Sequence, residues 1–391
     1  MGDYTDVLDR IGEQVRMPEP ALERMVERRE QRDRNRRISS GFVGLAITIL
    51  LVLALSGLRP ATQPARTPTA TPANGWIAYT LAGEGIFLVQ EGHAPRLAIG
   101  SPGDDVIERC PTFSPDGAHL AFTRDGGAGP VQLLVADVGD AGVALGSERF
   151  VSSLEAEYWA CPSWSPDGTR LLYMDHEGVW AVRTEGDEPP VLLGGIDDLV
   201  DVRWSPDGTQ VASMTRDGAL WVVSAQDGAF AHRLSGVHNG TFSWSPNGDR
   251  IVAGHGDTGF RGSPVLIDVE SGEREDLVAA GRGFAGYGNP AWSPDGTAIA
   301  LLDHRHEFDH GIVIVRPDED SWYRIPLPDL AVRDIWALRW SPDGRRLLVA
   351  SGCSAYSTPA HGGEWTLVSS PDVRAGLCQT PPSLDWQPVF P

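Results

Sequence analysis

The chain has 391 residues, 41% hydrophobic and 22% charged, with 45 glycines and 30 prolines. Such length and apolar content support a large core and exclude a disulfide-held miniprotein. A net charge of −21 and a pI near 4.8 exclude a globally basic surface for nucleic acid.

Residues 1–40 come first in the chain, and their nine acidic residues are balanced by nine arginines. The acidic excess therefore lies wholly downstream. Val7, Leu8, Ile11 and Val15 have helical spacing, as do Leu22, Met25 and Val26 beyond Pro18 and Pro20. This spacing predicts a short helical cytoplasmic segment. Gly41 to Leu58 follows as 18 uncharged residues rich in Ile, Leu and Val. At about 1.5 Å per residue such a helix spans roughly 27 Å, enough for a bilayer core. Forty residues stand ahead of it, unlike the few that precede a signal-peptide core, so a single uncleaved transmembrane helix is expected. Arg28, Arg29, Arg32, Arg34, Arg36 and Arg37 precede the span, and only Arg59 and Arg66 follow closely. The positive-inside rule then places the N-terminus in the cytoplasm and the acidic remainder outside the cytoplasmic membrane. Residues 59–74 carry Pro60, Pro64, Pro68 and Pro72 among Ala and Thr, the composition of an extended spacer.

A repeat organises residues 75–391. The tetrapeptide S-P-D-G begins at Ser114, Ser165, Ser205, Ser293 and Ser341, with S-P-N-G at Ser245. An aromatic residue precedes each copy: Phe113, Trp164, Trp204, Trp244, Trp292 and Trp340. A degenerate seventh anchor is Trp386, in L-D-W-Q-P. The anchors are 51, 40, 40, 48, 48 and 46 residues apart, a period of propellers or solenoids. Ser-Pro-Asp-Gly is a favoured type I turn composition. An apolar run follows each turn, as in H-L-A-F-T and R-L-L-Y-M. A second and usually a third short run come after it, so each unit holds four strands. Residues 76–99 supply three strands without an aromatic first strand, and Trp386 supplies a first strand with nothing after it. Joined, the two termini complete one unit and close a ring. The predicted fold is all-β, a seven-bladed β-propeller, with six blades as the alternative count.

The W-S-P-D-G copies resemble the WD40-like repeats of TolB-type β-propellers, across roughly residues 75–391. The G-H…W-D signature of true WD40 repeats is missing. The resemblance implies a binding or scaffolding module.

Candidate chemistry is sparse. No Ser has Gly at both −2 and +2, so the nucleophile elbow of a propeller-linked hydrolase is missing, and no enzyme activity is expected. Asp303, His304, His306, Glu307, Asp309 and His310 form a metal-like run, since His-x-His can place two imidazoles on one side of a strand. Further ligands are not evident, and a solvated loop is the expectation, with no metal and no cofactor assigned. Asp116, Asp167, Asp207, Asp295 and Asp343 are explained by turn chemistry rather than calcium. Asn239 heads a glycosylation sequon but is read as a turn. Cys110 and Cys161 lie three residues before their anchors, at equivalent positions of adjacent units, and are expected to staple them. Cys353 and Cys378 fall within the last unit and are paired in the same reading. Four cysteines allow three connectivities, so the sequence leaves the choice open.

The resulting expectation is a single-pass protein of the cytoplasmic membrane whose propeller binds extracytoplasmic proteins or glycans, without nucleic acid. Two alternatives stand beside it. One is a transmembrane signalling regulator of anti-sigma-factor layout, in which residues 1–40 capture a cytoplasmic partner. A zinc-type motif is excluded there, because the first His is His93 and the first Cys is Cys110. The other is a propeller hydrolase.

Overall fold

The computed structural model describes residues 73–391, except 82–83, 101–102, 104–105, 128, 155–160, 235–240, 255–263, 278–286, 304–310, 328–334, 352–353, 370–383 and 390–391. The chain divides into Met1–Gln63 and Pro64–Pro391, and every described residue belongs to the second unit. The cytoplasmic segment, the 41–58 span, residues 59–72 of the spacer, the His304–His310 run, Asn239, Cys353 and Cys378 lie outside the described residues.

The described strands form seven antiparallel sheets. Blade 1 joins Leu384–Val389 to Ala73–Leu81, Gly85–Val89 and Arg96–Gly100. Blade 2 is Ile107–Phe113, His119–Asp125, Val131–Gly139 and Arg149–Leu154, with a two-residue strand at Gly142–Val143. Blade 3 is Ser163–Trp164, Arg170–Asp175, Gly178–Arg183 and Val191–Gly194. Blade 4 is Leu199–Trp204, Gln210–Thr215, Leu220–Ser224 and Phe230–Leu234. Blade 5 is Phe242–Trp244, Arg250–Ala253, Val265–Asp268 and Arg274–Asp276. Blade 6 is Tyr287–Trp292, Ile299–Asp303, Gly311–Arg316 and Ser321–Pro326. Blade 7 is Ile335–Trp340, Arg346–Ser351, Ser354–Pro359 and Thr366–Ser369. The molecule's second unit is thus a seven-bladed β-propeller. Among the described residues there is no α-helix, only a 3-10 turn at Pro317–Glu319, and no helix long and apolar enough to cross a membrane.

Both faces of each blade are covered by neighbours, which explains why the second strands read as continuous apolar runs rather than alternating ones. In blade 2, Leu120 and Phe122 pack toward Ile86 and Leu88 of blade 1, while Ala121 joins Leu171 and Leu172 of blade 3. Shared cores of this kind link every consecutive pair, including Ile77 and Tyr79 of blade 1 with Leu348 and Ala350 of blade 7. The anchors fill these seams. Phe113, Trp164, Trp204, Trp244, Trp292 and Trp386 are buried, and Trp340 is partly buried. Burying about 200 Å² per indole contributes a gross 4–6 kcal/mol or so at each seam. The Trp164 Nε1–H also donates to Thr112 O at 3.0 Å and that of Trp340 to Ala291 O at 2.9 Å, each reaching the preceding blade. The first residue of a second strand covers the next anchor: His119 stacks on Trp164, and Arg170 lies 4.6 Å over Trp204.

The S-P-D-G turn is a hydrogen-bonded knot. In blade 4, Gly208 N donates to Ser205 O (2.9 Å). The buried Ser205 hydroxyl donates to Asp207 Oδ1 (2.6 Å) and accepts from Gln210 N (2.9 Å). In the S-P-N-G copy the Ser245 hydroxyl donates instead to Asp249, at 2.9 Å. Ring closure replaces this turn in blade 1. Ile77 pairs with Trp386 and Tyr79 with Leu384, so the C-terminal strand completes the N-terminal sheet. Gln387 accepts from Trp76 N (3.0 Å) and donates to Gly117 O of blade 2 (2.7 Å). The first strand of blade 1 begins at Ala73, inside the stretch read from sequence as spacer, and Asn74 accepts a hydrogen bond from Asp343 N of blade 7 (3.3 Å).

Candidate functional site at the ring axis

The strand that carries the anchor is the first of every blade. First strands of successive blades approach one another around the ring, and Arg203 of blade 4 lies 5.5 Å over the Phe242 ring of blade 5. They therefore wall the central channel of a closed propeller. One position before each anchor stand Thr112, Ser163, Arg203, Ser243, Ala291, Arg339 and Asp385. All except Ala291 keep partial exposure, whereas the preceding Pro111, Pro162, Val202, Phe242, Pro290 and Leu338 are buried. Alternation along a strand thus turns one residue per blade toward the axis.

Three residues of this circle are charged, and a fourth charge, Asp201, lies two positions earlier in blade 4. Arg203 pairs with Asp201, Nη2 to Oδ2 at 2.9 Å. Asp385 reaches into blade 2, where its Oδ2 accepts from Phe113 N (2.8 Å) and the Thr112 hydroxyl (3.1 Å). Ser243 makes the equivalent contact between blades 5 and 6, accepting from Trp292 N at 3.3 Å. Arg339 donates from Nη1 to Leu338 O (3.0 Å) and makes no ion pair among the described residues.

Desolvation pushes the Arg339 guanidinium below its ordinary value, and the like charge of Arg203 adds to this, while Asp385 and Asp201 oppose it. Blades 4 and 7 are not neighbours, and stand three places apart in the ring of seven. Burial pushes the Asp385 carboxyl up, against its hydrogen bonds from Phe113 and the pull of Arg339. Both groups are partly exposed, as expected at the wall of a channel. Charges away from the axis are matched directly: Arg124 bridges Glu108 (2.9 Å) and Glu148 (2.8 Å), and Arg346 meets Glu91 at 2.7 Å.

A disulfide joins Cys110 of blade 2 to Cys161 of blade 3, with Cα atoms 5.1 Å apart. Cys110 has a positive φ of 53° within a bulge between Arg109 and Thr112, and Asn289 repeats this at 48° in blade 6. The bulges shift register just before the axial residues. Of the metal-like run only Asp303 is described, and it is buried against Arg324, Nε to Oδ2 at 3.4 Å. Among the described residues no group of three or more His, Cys, Asp or Glu is placed to hold a metal. Asp116, Asp167, Asp207, Asp295 and Asp343 all sit in turns, bonded to the Ser two residues earlier. The axial charges were not singled out from sequence. Their signal was present, because aligning the repeats on the anchor gives Thr, Ser, Arg, Ser, Ala, Arg and Asp at one position.

No protein-family model matches the chain, and no curated protein matches it. Among solved structures, TolB from Acinetobacter baumannii is similar at 19% identity and a TM-score of 0.46. That match covers 66% of each chain, just under two thirds of its length. The hydrazine synthase of Kuenenia stuttgartiensis gives 18% and 0.49 over 64% of this chain and 75% of that one. A TolB structure from Agrobacterium tumefaciens gives 21% and 0.47 over 62% and 94%. The seven-bladed ring itself is established by this chain's own strand pairing.

Proposed function

We propose that this chain is a membrane-anchored binding module without catalytic activity, its N-terminus cytoplasmic and its propeller extracytoplasmic. The axial circle carries the binding reading: Arg203, Arg339 and Asp385 converge there from three blades among small polar side chains, a concave site with few, placed polar groups. The anchor rests on the uncharged Gly41–Leu58 run and the arginines before it. The Cys110–Cys161 disulfide supports placement outside the cytoplasm, because such bonds persist in oxidising compartments. The partners are envelope proteins or glycans; the acidic exterior favours proteins with cationic surfaces and disfavours nucleic acid.

The test is cross-linking on intact cells with a membrane-impermeant reagent, followed by mass spectrometry. The reading expects an extracytoplasmic partner whose capture falls in the Arg203→Gln and Arg339→Gln variants. Partners confined to the cytoplasm would reject it. A second reading, capture of a cytoplasmic regulator by residues 1–40, is carried by their position before the apolar span. Enrichment of such a regulator on a 1–40 peptide over a scrambled one would favour it.

A further inference from the structure

We propose that Arg339 and Arg203 form a receptor for a single carboxylate group at the channel axis. The inference deepens the binding reading above and rests on it. Arg339 has five N–H donors. Its one hydrogen bond among the described residues goes to the Leu338 carbonyl, and it has no carboxylate partner there. This sets it apart from Arg124 and Arg346, each of which meets a Glu within 3 Å. Arg203 faces the axis from the far side with one edge engaged by Asp201 through Nε and Nη2, which leaves Nη1 for a ligand. The two guanidinium groups stand at the same register position on the first strands of blades 4 and 7, three places apart in a ring of seven, and like charges set on opposite sides of one axis favour an anion between them. Planar forks match the two oxygens of a carboxylate.

The wall also limits how much negative charge can enter. Asp201 and Asp385 lie beside the two arginines, so the four groups roughly cancel when all are ionised. A monoanion adds little repulsion, whereas a phosphate dianion adds more. The exterior, with its share of a net −21, further disfavours polyanions. Ser163 offers a hydroxyl on the same circle for the polar remainder of the ligand, while the hydroxyls of Thr112 and Ser243 are already bonded to Asp385 and to Trp292 N. The carboxylate comes either from a small organic acid or from a peptide C-terminus.

The test uses the full chain in detergent, with tryptophan-detected melting and calorimetric titration at matched ionic strength. Probes are acetate, inorganic phosphate, and a neutral four-residue peptide as its free acid and as its C-terminal amide. The expected result is that acetate raises the melting midpoint relative to chloride, with phosphate no tighter. Arg339→Gln and Arg203→Gln should each weaken binding about tenfold or more while melting cooperatively. Peptide acid binding more tightly than acetate, with the amide inert, assigns a peptide terminus. Acetate binding without peptide binding assigns a small acid. The proposal is overturned if no anion binds, if phosphate binds more tightly than acetate, or if both variants respond as the parent does. Those results leave the cross-linking outcome untouched, so the two readings fail separately.

Discussion

Removing the Cys110–Cys161 bond measures how much the ring depends on a covalent tie between blades 2 and 3. The cysteines are 51 residues apart in sequence. The chain-entropy relation for a loop of that size gives about −14 cal/mol/K, or about 4 kcal/mol at 25 °C. Native packing changes little on substitution, because Cys161 is exposed and only Cys110 is buried. The Cys110→Ala/Cys161→Ala double variant should therefore lose about 2–4 kcal/mol in urea unfolding, and the parent in reductant, where the bond expected between Cys353 and Cys378 is reduced as well, should lose at least as much. The secondary structure by circular dichroism should stay intact in both. A variant that unfolds within about 0.5 kcal/mol of the parent would refute the reasoning, by showing that the unfolded chain gains no freedom when the bond is absent.

Three further outcomes follow from the turns and the axis. Gly117 and Gly168 both adopt positive φ, 73° and 70°, so alanine at either costs about 1–2 kcal/mol. A Cβ at 117 would also stand 2.1 Å from Pro388 O, whereas at 168 its nearest neighbour is Pro115 Cδ at 3.9 Å. Thermal unfolding should thus rank Gly117→Ala well below Gly168→Ala, and equal midpoints would contradict the closure geometry. Burial works against the charges of Asp116, Asp167, Asp207 and Asp295, but hydrogen bonds from Ser hydroxyls and backbone N–H groups outweigh it and hold all four below the ordinary carboxylate value. Their stabilisation is present above the unfolded value and is lost as pH falls through the folded one. Urea midpoints should therefore drop in acid, and less so in an Asp207→Asn variant. Asp385 behaves oppositely: its folded pKa is raised, so its contribution is present in acid and lost as pH rises through the folded value. Asp385→Asn should match the parent in acid and equal or exceed it at neutral pH; a variant weaker only at neutral pH would reverse the assignment.

The ring was legible in the sequence because a single local device recurs. Each S-P-D-G turn fixes its own geometry within a few residues, and each aromatic before it marks a seam. The unit assembled from both termini was equally visible, since Trp386 had no strands after it and residues 76–99 had no anchor before them. The axial charges were hidden for a physical reason. Arg203 and Arg339 are 136 residues apart in sequence. Only ring closure sets them on one wall, and an arginine before a tryptophan looks locally like any surface residue. The start of the first strand was missed because Ala73 and Asn74 have spacer-like composition, while their pairing with Val389 and Pro388 is made at the far end of the chain.

The most direct check of the central claim is the sidedness of the chain. Alkaline phosphatase and green fluorescent protein would each be fused to the whole chain, ahead of residue 1 or after residue 391, and expressed in bacterial cells. The account predicts fluorescence without phosphatase activity for the fusion at residue 1, and phosphatase activity without fluorescence at 391. Fluorescence at both ends would put the propeller in the cytoplasm and contradict it.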